Sequence, residues 1–405
     1  MTPGHLTSLT RAVDSLTPEL LGIRRDLHRH PELSREEHRT TALVLERLQG
    51  AGIAARAVDP TGVIADIGAD EAPFRVALRA DLDALPVRER TGLDWASVRP
   101  DVTHACGHDF HTGALLGAGL ALHAMREELD EAGLAVRLLF QPAEEAIPGG
   151  ALDLIDAGGL DRVHAAYAVH CDPSLDVGKV GLREGPLTAA ADRLIVKLTG
   201  RGGHTSRPHL TEDLTFALAK VITEVPTLLS RRVDPRAGLV LVWGTVHAGR
   251  TSNVIPSSGE AQGTLRILDA DVWRGIGPLL REIVEDVIRP YGVQAEIVHT
   301  QGVPPVVNVA DAVDDLRAAA QAVGLGVVPT SQSMGGEDFA WFLHRVPGAM
   351  ARLGTRTIGG RTYDLHQGDL VVDEAALGHG ARLLAAVALA ALERNGGGTS
   401  RLRNG

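Results

Sequence analysis

The feature that most constrains this chain is the stretch Thr103 to His111, which reads THACGHDFH. It holds one of the two cysteines of the chain, three histidines and an aspartate. Cys106 and His108 are separated only by a glycine, so the backbone can turn tightly and aim both side chains at one point. Thiolate and imidazole suit zinc and other late divalent metals, and carboxylates extend the choice to manganese. The stretch predicts a metal site, although a helix N-terminus that carries histidines by chance would look the same.

Length and charge narrow the class of protein. A chain of 405 residues is long for one domain and suggests two or more. The net charge of -11 argues against nucleic acid or an anionic membrane surface as partner, and the aromatic content of 3% argues against base stacking. No segment approaches 18 uninterrupted apolar residues, and the first residues lack the apolar core of a signal peptide, so no membrane span is predicted. With only two cysteines, a cytoplasmic location is expected.

Polar residues follow the predicted strands of the first half of the chain. Apolar runs at 63–67, 75–79, 135–140 and 165–169 alternate with helices, which is typical of an α/β domain with a largely buried sheet. Asp81 and Asp83, the pair Glu144 and Glu145, and His170 come where these runs end. Ligands of open α/β sheets bind outside the carboxyl ends of strands, so one shared site is expected there.

Proline positions and capping residues predict where several helices begin. Thr17-Pro18 predicts a helix start, because proline is favoured at the first helical position. Ser34 followed by Glu37 predicts a capping box for the next helix. A helix from His108 to about Met125, rich in alanine, leucine and glycine, is expected to pack closely on the sheet.

The order of predicted helices and strands changes near Leu187. From there the order is strand, helix, strand, strand, helix, strand, which is that of a ferredoxin-like α+β unit. The predicted organisation is a catalytic domain in two parts, residues 1–186 and 303–405, interrupted by an inserted domain at residues 187–302.

The candidate site residues each have a plainer interpretation. Adjacent carboxylates at a strand end point to opposite sides, so one of Glu144 and Glu145 can bind a metal while the other acts as a general base; a solvated helix face is the alternative. His170 and His366 could be core histidines. In the inserted domain, His204 lies in a glycine-rich loop, and Arg266, with Asn253 nearby in sequence, could bind a carboxylate or form a surface ion pair.

Six motifs, taken together, resemble a known family. In chain order they are Leu27-His28-Arg29-His30-Pro31-Glu32-Leu33, Arg79-Ala80-Asp81-Leu82-Asp83-Ala84-Leu85-Pro86, His104-Ala105-Cys106-Gly107-His108-Asp109, Gln141-Pro142-Ala143-Glu144-Glu145, Gly202-Gly203-His204 and Gly335-Gly336-Glu337-Asp338-Phe339. The chain resembles the M20 metallopeptidases, specifically the amidohydrolase branch of N-acyl-amino-acid amidohydrolases, hippurate hydrolases and auxin-conjugate hydrolases. The resemblance implies a zinc-peptidase-like catalytic domain with an inserted lid and dimerisation domain, and a homodimer formed through that insert.

The resemblance also assigns roles to single residues. It implies two divalent metal ions, zinc or manganese with cobalt or nickel also acceptable, with the ligands Cys106, His108, Glu145, His170 and His366. Glu144 would be the general base that activates water for attack on an amide. His204 would contribute to the oxyanion site from the partner subunit, Asn253 and Arg266 would hold the substrate carboxylate, and Asp83 would orient a ligand.

Two segments depart from the family pattern. The family's usual Leu-His-x-Pro-x-Phe around the last ligand is Leu365-His366-Gln367-Gly368-Asp369-Leu370 here. The family's Glu-Glu-Gly at the base is Glu144-Glu145-Ala146-Ile147. The ligand set stays complete, so the departures bear on the substrate. The leading hypothesis is hydrolysis of an N-acyl amino acid or a related small amide. A dipeptidase or aminopeptidase, and a metal-binding interaction protein without catalysis, are the alternatives.

Overall fold

The computed structural model describes residues 3–399, with side chains described for residues 4–395. The chain forms two compact units. Unit 1 consists of Met1–Gly185, Val307–Ser331 and Asp338–Gly405, and unit 2 of Pro186–Val306 and Gln332–Glu337.

The secondary structure elements are numbered in chain order. The helices are α1 (Pro3–Arg29), α2 (His38–Gly50), α3 (His108–His123), α4 (Arg126–Glu131), α5 (Ala151–Asp156), α6 (Leu214–Arg232), α7 (Ala270–Ile288), α8 (Ala310–Ala322), α9 (Ala340–Leu343) and α10 (Ala375–Thr399). The strands are β1 (Ala54–Ala57), β2 (Val63–Ile67), β3 (Phe74–Asp81), β4 (Leu134–Gln141), β5 (Ala165–Asp176), β6 (Lys179–Leu182), β7 (Gly185–Pro186), β8 (Ala190–Thr199), β9 (Gly203–His204), β10 (Val240–Ala248), β11 (Val254–Ile255), β12 (Ser258–Ile267), β13 (Gln294–Val303), β14 (Val307–Asn308), β15 (Gly326–Pro329) and β16 (Gly348–Arg356).

Unit 1 is built on an eight-stranded mixed sheet in the order β1-β2-β4-β3-β5-β16-β6-β15. Its centre is parallel: β3 pairs with β4 and β5, and β5 pairs with β16. Asp81 pairs with Gln141, so β3 and β4 end level with each other. The buried parallel sheet and the alternation of helices and strands confirm the predicted α/β class, and the aligned strand ends bring the polar loops of the site to one edge.

Helix α3 lies in the core of unit 1. All residues from His108 to Leu122 are buried, and the helix packs on α1, α10 and the sheet. Two glycines permit this closeness: a Cβ at Gly117 would lie 2.5 Å from Leu20 Cδ1, and one at Gly119 would lie 2.3 Å from Leu138 Cδ1. The predicted close packing of this helix is therefore confirmed, and the first residue of α3 is carried to the edge where β3 and β4 end.

Helix α10 contains one stretch, Ala375–Asn395, that is long and apolar enough to cross a membrane by length and composition. Most of this stretch is buried. It packs against α1, α3 and α8 of the same unit, which accounts for its apolar composition.

Unit 2 carries a four-stranded antiparallel sheet in the order β10-β12-β8-β13. Helix α6 follows β8 and helix α7 follows β12, so the chain order is strand, helix, strand, strand, helix, strand. This order and the sheet arrangement confirm the ferredoxin-like topology predicted for the insert.

Three local expectations were wrong. Helix α1 begins at Pro3 and contains Pro18, because the buried stripe of Leu9, Val13 and Leu20 continues across the proline. The expected capping box does not form, since Ser34 donates its hydroxyl hydrogen bond to Asp83.

The carboxylate of Glu32 instead accepts hydrogen bonds from the backbone of Arg39 and Thr40 at the start of α2.

The third wrong expectation concerns the end of β5. This strand does not end before His170, because the residues up to Asp176 pair with β16.

The unit boundaries differ from the predicted ones in two segments. Residues 303–306 and 332–337 belong to unit 2, whereas the sequence placed them in the second part of the catalytic domain. For residues 332–337 the reason is backbone pairing: the amide of Ser333 donates to Leu187 O and its carbonyl accepts from Ala189 N. A short return segment of this kind leaves no signal in composition.

Candidate metal centre

Five predicted ligands from distant parts of the chain meet in unit 1. Several sets of donors have ligand atoms within 4.8 Å of one another, and three of them contain predicted ligands and the predicted base: Cys106 with His108 and His170, Cys106 with Glu145 and His366, and His108 with Glu144 and Glu145. Cys106 belongs to two of these sets. The thiol therefore lies between the buried pair His108 and His170 and the more open pair Glu145 and His366.

Gly107 gives Cys106 and His108 their common direction. It precedes α3 with φ at +81°, a left-handed conformation that favours glycine. A Cβ at this position would lie 2.5 Å from Cys171 Sγ. Glycine is thus required both by the backbone and by the neighbouring side chain.

His108 is fully buried among acidic side chains. Its Nδ1 lies 3.3 Å from Asp83 Oδ1, while its Nε2 lies 3.8 Å from Asp81 Oδ2 and 3.9 Å from Glu144 Oε2 and from Glu145 Oε1. Burial lowers the pKa of His108, but the charges of Asp81 and Asp83 outweigh it and raise the pKa to about 10. The surroundings of this ring therefore favour a positive charge.

His170 is held in one tautomer. Its Nδ1 lies 2.8 Å from the carbonyl oxygen of Cys171, which can only accept, so Nδ1 carries the proton. The Nε2 lone pair then faces Cys106 Sγ at 3.5 Å. Burial lowers the pKa of His170 and raises that of Cys106, so the ring is neutral and available as a ligand.

The other side of the cluster is open to solvent. The side chains of Glu144 and Glu145 are 9% and 12% exposed, and that of His366 is 53% exposed. His366 Nε2 lies 3.2 Å from Glu145 Oε1, and the backbone amide of His366, with φ at +62°, donates to Ala105 O at 2.7 Å. A small molecule would reach the cluster from this side.

One donor atom in particular shows that the cluster suits a cation. Within the described residues, His108 Nε2 is buried without a hydrogen-bond partner. Buried polar atoms are nearly always satisfied, and an unpaired imidazole nitrogen facing carboxylates is the arrangement that divalent metal sites use. The donor set of one thiol, three imidazoles and carboxylates fits zinc or manganese.

Several residues that support the cluster carried no assigned role in the sequence analysis. His111 joins two parts of the site, since its Nδ1 lies 2.6 Å from Asp81 Oδ1 and its Nε2 accepts from the backbone of Cys171. Asp81 is also bound by Arg79 at 2.7 Å. The position of His111 in the donor-rich stretch was a signal, and Asp81 was expected at the shared site because it follows a predicted strand, but nothing local indicated that the two side chains pair.

A second buried polar cluster, the His28 cluster, lies beside the start of α3. Asp109 Oδ2 contacts Arg24 Nε and His28 Nδ1, both at 3.1 Å, and His28 Nε2 lies 3.1 Å from Glu89. Burial lowers the pKa of His28, but Asp109 and Glu89 raise it to about 9. The adjacent His104 is buried, and burial lowers its pKa to about 4. The cluster fixes α1 to the first turn of α3.

The remaining predicted residues lie in unit 2. His204 pairs with Val254 through β9 and β11, and the amide of Thr205 donates to Asn253 O, so His204 and Asn253 are neighbours. Arg266 lies on β12 opposite Ala191 and is half-buried. Burial lowers the pKa of Arg266, an effect that Asp192 opposes. Their roles toward a substrate remain predictions.

Comparison with known proteins identifies relatives of the whole chain. It is 48% identical over 382 residues to "Putative glutamate--cysteine ligase 2-3" of Rhodococcus jostii, an alignment that covers 94% of this chain and 47% of that protein. The chain therefore spans about half the length of this relative, and the name of the relative applies to that longer protein. It is also 39% identical over 366 residues to N-acetyl-L-cysteine deacetylase of Bacillus subtilis, covering 90% of this chain and 86% of that protein.

A solved structure shares both fold and sequence. The Bacillus subtilis YXEP protein, a dinuclear metal binding peptidase from the M20 family, is 34% identical with a TM-score of 0.82, and the match covers 94% of this chain and 99% of that one. The pattern of Peptidase family M20/M25/M40 matches residues 77–390, which is most of the chain and includes every predicted metal ligand. The chain belongs to Peptidase family M20/M25/M40.

Proposed function

We propose that this protein is a metal-dependent amidohydrolase that cleaves the amide bond of N-acyl amino acids. The observation that carries the proposal is the convergence of five donors from separate segments, with Glu144 beside them. The B. subtilis relative named for the deacetylation of N-acetyl-L-cysteine supports an N-acyl amino acid as substrate.

The ions are proposed to be two divalent metals, zinc or manganese, with cobalt or nickel also acceptable to the donor set. Cys106, His108, Glu145, His170 and His366 would hold them, and the dinuclear site of the YXEP protein supports the number. Divalent ions supply Lewis-acid chemistry: they lower the pKa of water and stabilise negative charge on a carbonyl oxygen.

Glu144 is proposed to move the proton. Its carboxylate lies on the open side of the cluster, and its backbone amide is fixed by Asp83 Oδ1 at 3.0 Å. From this position the carboxylate takes a proton from the attacking water and returns it to the nitrogen of the leaving amine. Asp83 also fixes the ring of His108, so one carboxylate sets the geometry of the base and of a ligand.

Three residues of unit 2 are proposed to bind the substrate. His204, contributed by the partner subunit of the proposed dimer, would donate to the carbonyl oxygen as charge develops there, and Asn253 and Arg266 would bind the carboxylate of the amino acid. The half-buried guanidinium of Arg266 is suited to this role because a carboxylate would pair with it more strongly than at an open surface.

The protein is further proposed to form homodimers through unit 2 and to act in the cytoplasm. Strand β10 is an edge strand with exposed Val240, Val242 and Val246, and an edge of this kind can pair with a second copy. Sedimentation measurements would test the dimer, which a monomeric mass at micromolar concentration would contradict. The two buried free cysteines support a reducing compartment.

The function is tested by amine release from a panel of N-acetyl amino acids, including N-acetyl-L-cysteine, using protein loaded with zinc or manganese. Hydrolysis is expected for the wild type. In Glu144→Gln it should fall by roughly 100- to 10,000-fold, because the base is lost, while the metal content remains two per chain.

Two results would contradict the proposal. Free dipeptides hydrolysed faster than every acylated amino acid would favour a peptidase. Equal turnover by the wild type and Glu144→Gln would remove Glu144 from the mechanism.

A further inference from the structure

Three consecutive backbone amides at the site donate to two buried carboxylates. The amide of Ala143 donates to Glu37 Oε1 at 2.7 Å, and those of Glu144 and Glu145 donate to Asp83 Oδ1 and Oδ2, each at 3.0 Å. Glu37 precedes α2 and Asp83 follows β3. The turn that carries the base and a ligand is therefore fixed from two separate elements.

Glu37 is an unusual residue for the interior. Its exposure is 0%, and its second oxygen accepts a hydrogen bond from Thr61 Oγ1 at 2.6 Å. Burial raises the pKa of Glu37, and the nearby charge of Asp83 raises it further, while the bonds from Thr61 and Ala143 act in the opposite direction. Burying this carboxylate close to another one costs stability.

Ala143 needs an external constraint. Its φ is +52°, in the left-handed region, which is unfavourable for an alanine because its Cβ comes close to the following carbonyl oxygen. The residue is fully buried, and its carbonyl accepts from Gly150 N at 3.1 Å. The hydrogen bond to Glu37 thus restrains the amide of a residue that would otherwise relax toward negative φ.

We infer that Glu37 is a positioning residue for hydrolysis: it holds Ala143 in the left-handed conformation and thereby aims the side chain of Glu144. This inference rests on the proposed function of Glu144 as the base. Loss of the restraint lets the turn relax, and a displacement of about 1 Å at a reacting group lowers the rate by up to about 100-fold.

The experiment compares four variants of the metal-loaded full chain. Glu37→Ala removes the acceptor for Ala143, and Glu37→Gln keeps an acceptor oxygen without the charge. Thr61→Val is the matched control, because it removes the other hydrogen bond of Glu37 and leaves the one to Ala143. The double variant Glu37→Ala with Ala143→Gly replaces the restrained alanine by a residue that adopts positive φ freely.

We expect kcat of Glu37→Ala to fall about 10- to 100-fold with KM within about threefold of the wild type and two metals retained. Glu37→Gln and the double variant should recover most of the lost kcat. Thr61→Val should lower the thermal midpoint yet keep the wild-type kcat. Hydrogen exchange in a peptide spanning residues 143–145 should accelerate in Glu37→Ala and remain slow in Thr61→Val.

The inference is overturned if Glu37→Ala keeps kcat within twofold of the wild type, or if Thr61→Val loses as much kcat as Glu37→Ala. Unchanged exchange at residues 143–145 in Glu37→Ala would also overturn it. If Glu37→Ala does not fold, Glu37→Asp replaces it in the comparison with Thr61→Val, because it keeps the charge but withdraws the acceptor oxygen from Ala143 by one methylene. A wild type without hydrolase activity refutes the proposed function, while the exchange measurement still tests the restraint.

Discussion

A substitution at Gly107 tests how the backbone between Cys106 and His108 positions these two proposed ligands. Gly107→Ala would place a Cβ 2.5 Å from Cys171 Sγ on a backbone with φ at +81°. The left-handed conformation costs an alanine roughly 1–2 kcal/mol. Overpacking in a full interior adds about 1–3 kcal/mol, so the total loss of stability is about 2–5 kcal/mol. Relief of the contact requires movement of Cys106, His108 or Cys171, and a shift of either Cys106 or His108, the two proposed ligands, should weaken metal binding.

Gly92 provides the matched control. Its φ is +72°, and a Cβ added there would meet nothing within 4 Å. Gly92→Ala therefore carries the same conformational cost without the contact, and the difference between the variants isolates the clash at about 1–3 kcal/mol.

The assay records the thermal midpoint of both variants at one heating rate, and their metal content after dialysis. Gly107→Ala should melt below Gly92→Ala and retain less metal. Equal midpoints and two retained metals in both variants would refute the reasoning, because they would show that the space beside Cys171 does not constrain the ligands.

Three further outcomes follow from the same geometry. Asp83→Asn should weaken metal binding roughly 10- to 100-fold, because the Asp83 carboxylate fixes both the ring of His108 and two backbone amides. Ser34→Ala removes only a hydroxyl contact with Asp83, so the metal content of this variant should be unchanged. Equal losses of metal in the two variants would contradict this role of Asp83. Removal of metal by EDTA should lower the thermal midpoint, because binding at 100 to 1,000 times Kd contributes about 3–4 kcal/mol; an unchanged midpoint would argue against the site. The folded pKa of His28, about 9, exceeds the ordinary 6.5, so its stabilisation is complete below about pH 6.5 and disappears as the pH rises through 9. The midpoint difference between the wild type and His28→Gln should shrink between pH 6 and pH 10, and a constant difference would exclude this cause.

Features with a repeating local pattern were predictable from the sequence. The buried strands, the glycine-rich helix after His108 and the order of elements in the insert were all expected, because the spacing of apolar residues indicates them directly. The convergence of Cys106, Glu145 and His366 was expected from the resemblance, and their donor atoms do lie within 4.8 Å of one another.

Features that depend on distant contacts were not predictable. Pro18 lies inside a helix because packing of the flanking leucines outweighs the local signal. Ser34 and Glu37 have the spacing of a capping box, yet their side chains are used by Asp83, Thr61 and Ala143. These partners are far along the chain, so no local rule indicates them.

The order of the strands has a consequence for synthesis. Strand β16 pairs with β5, and the chain between them supplies all of unit 2. As the chain leaves the ribosome, the insert is therefore complete while the eight-stranded sheet still lacks an inner strand and the packing of α10. His366 emerges later still, so an unfinished chain holds the first of the proposed ligands without the last one.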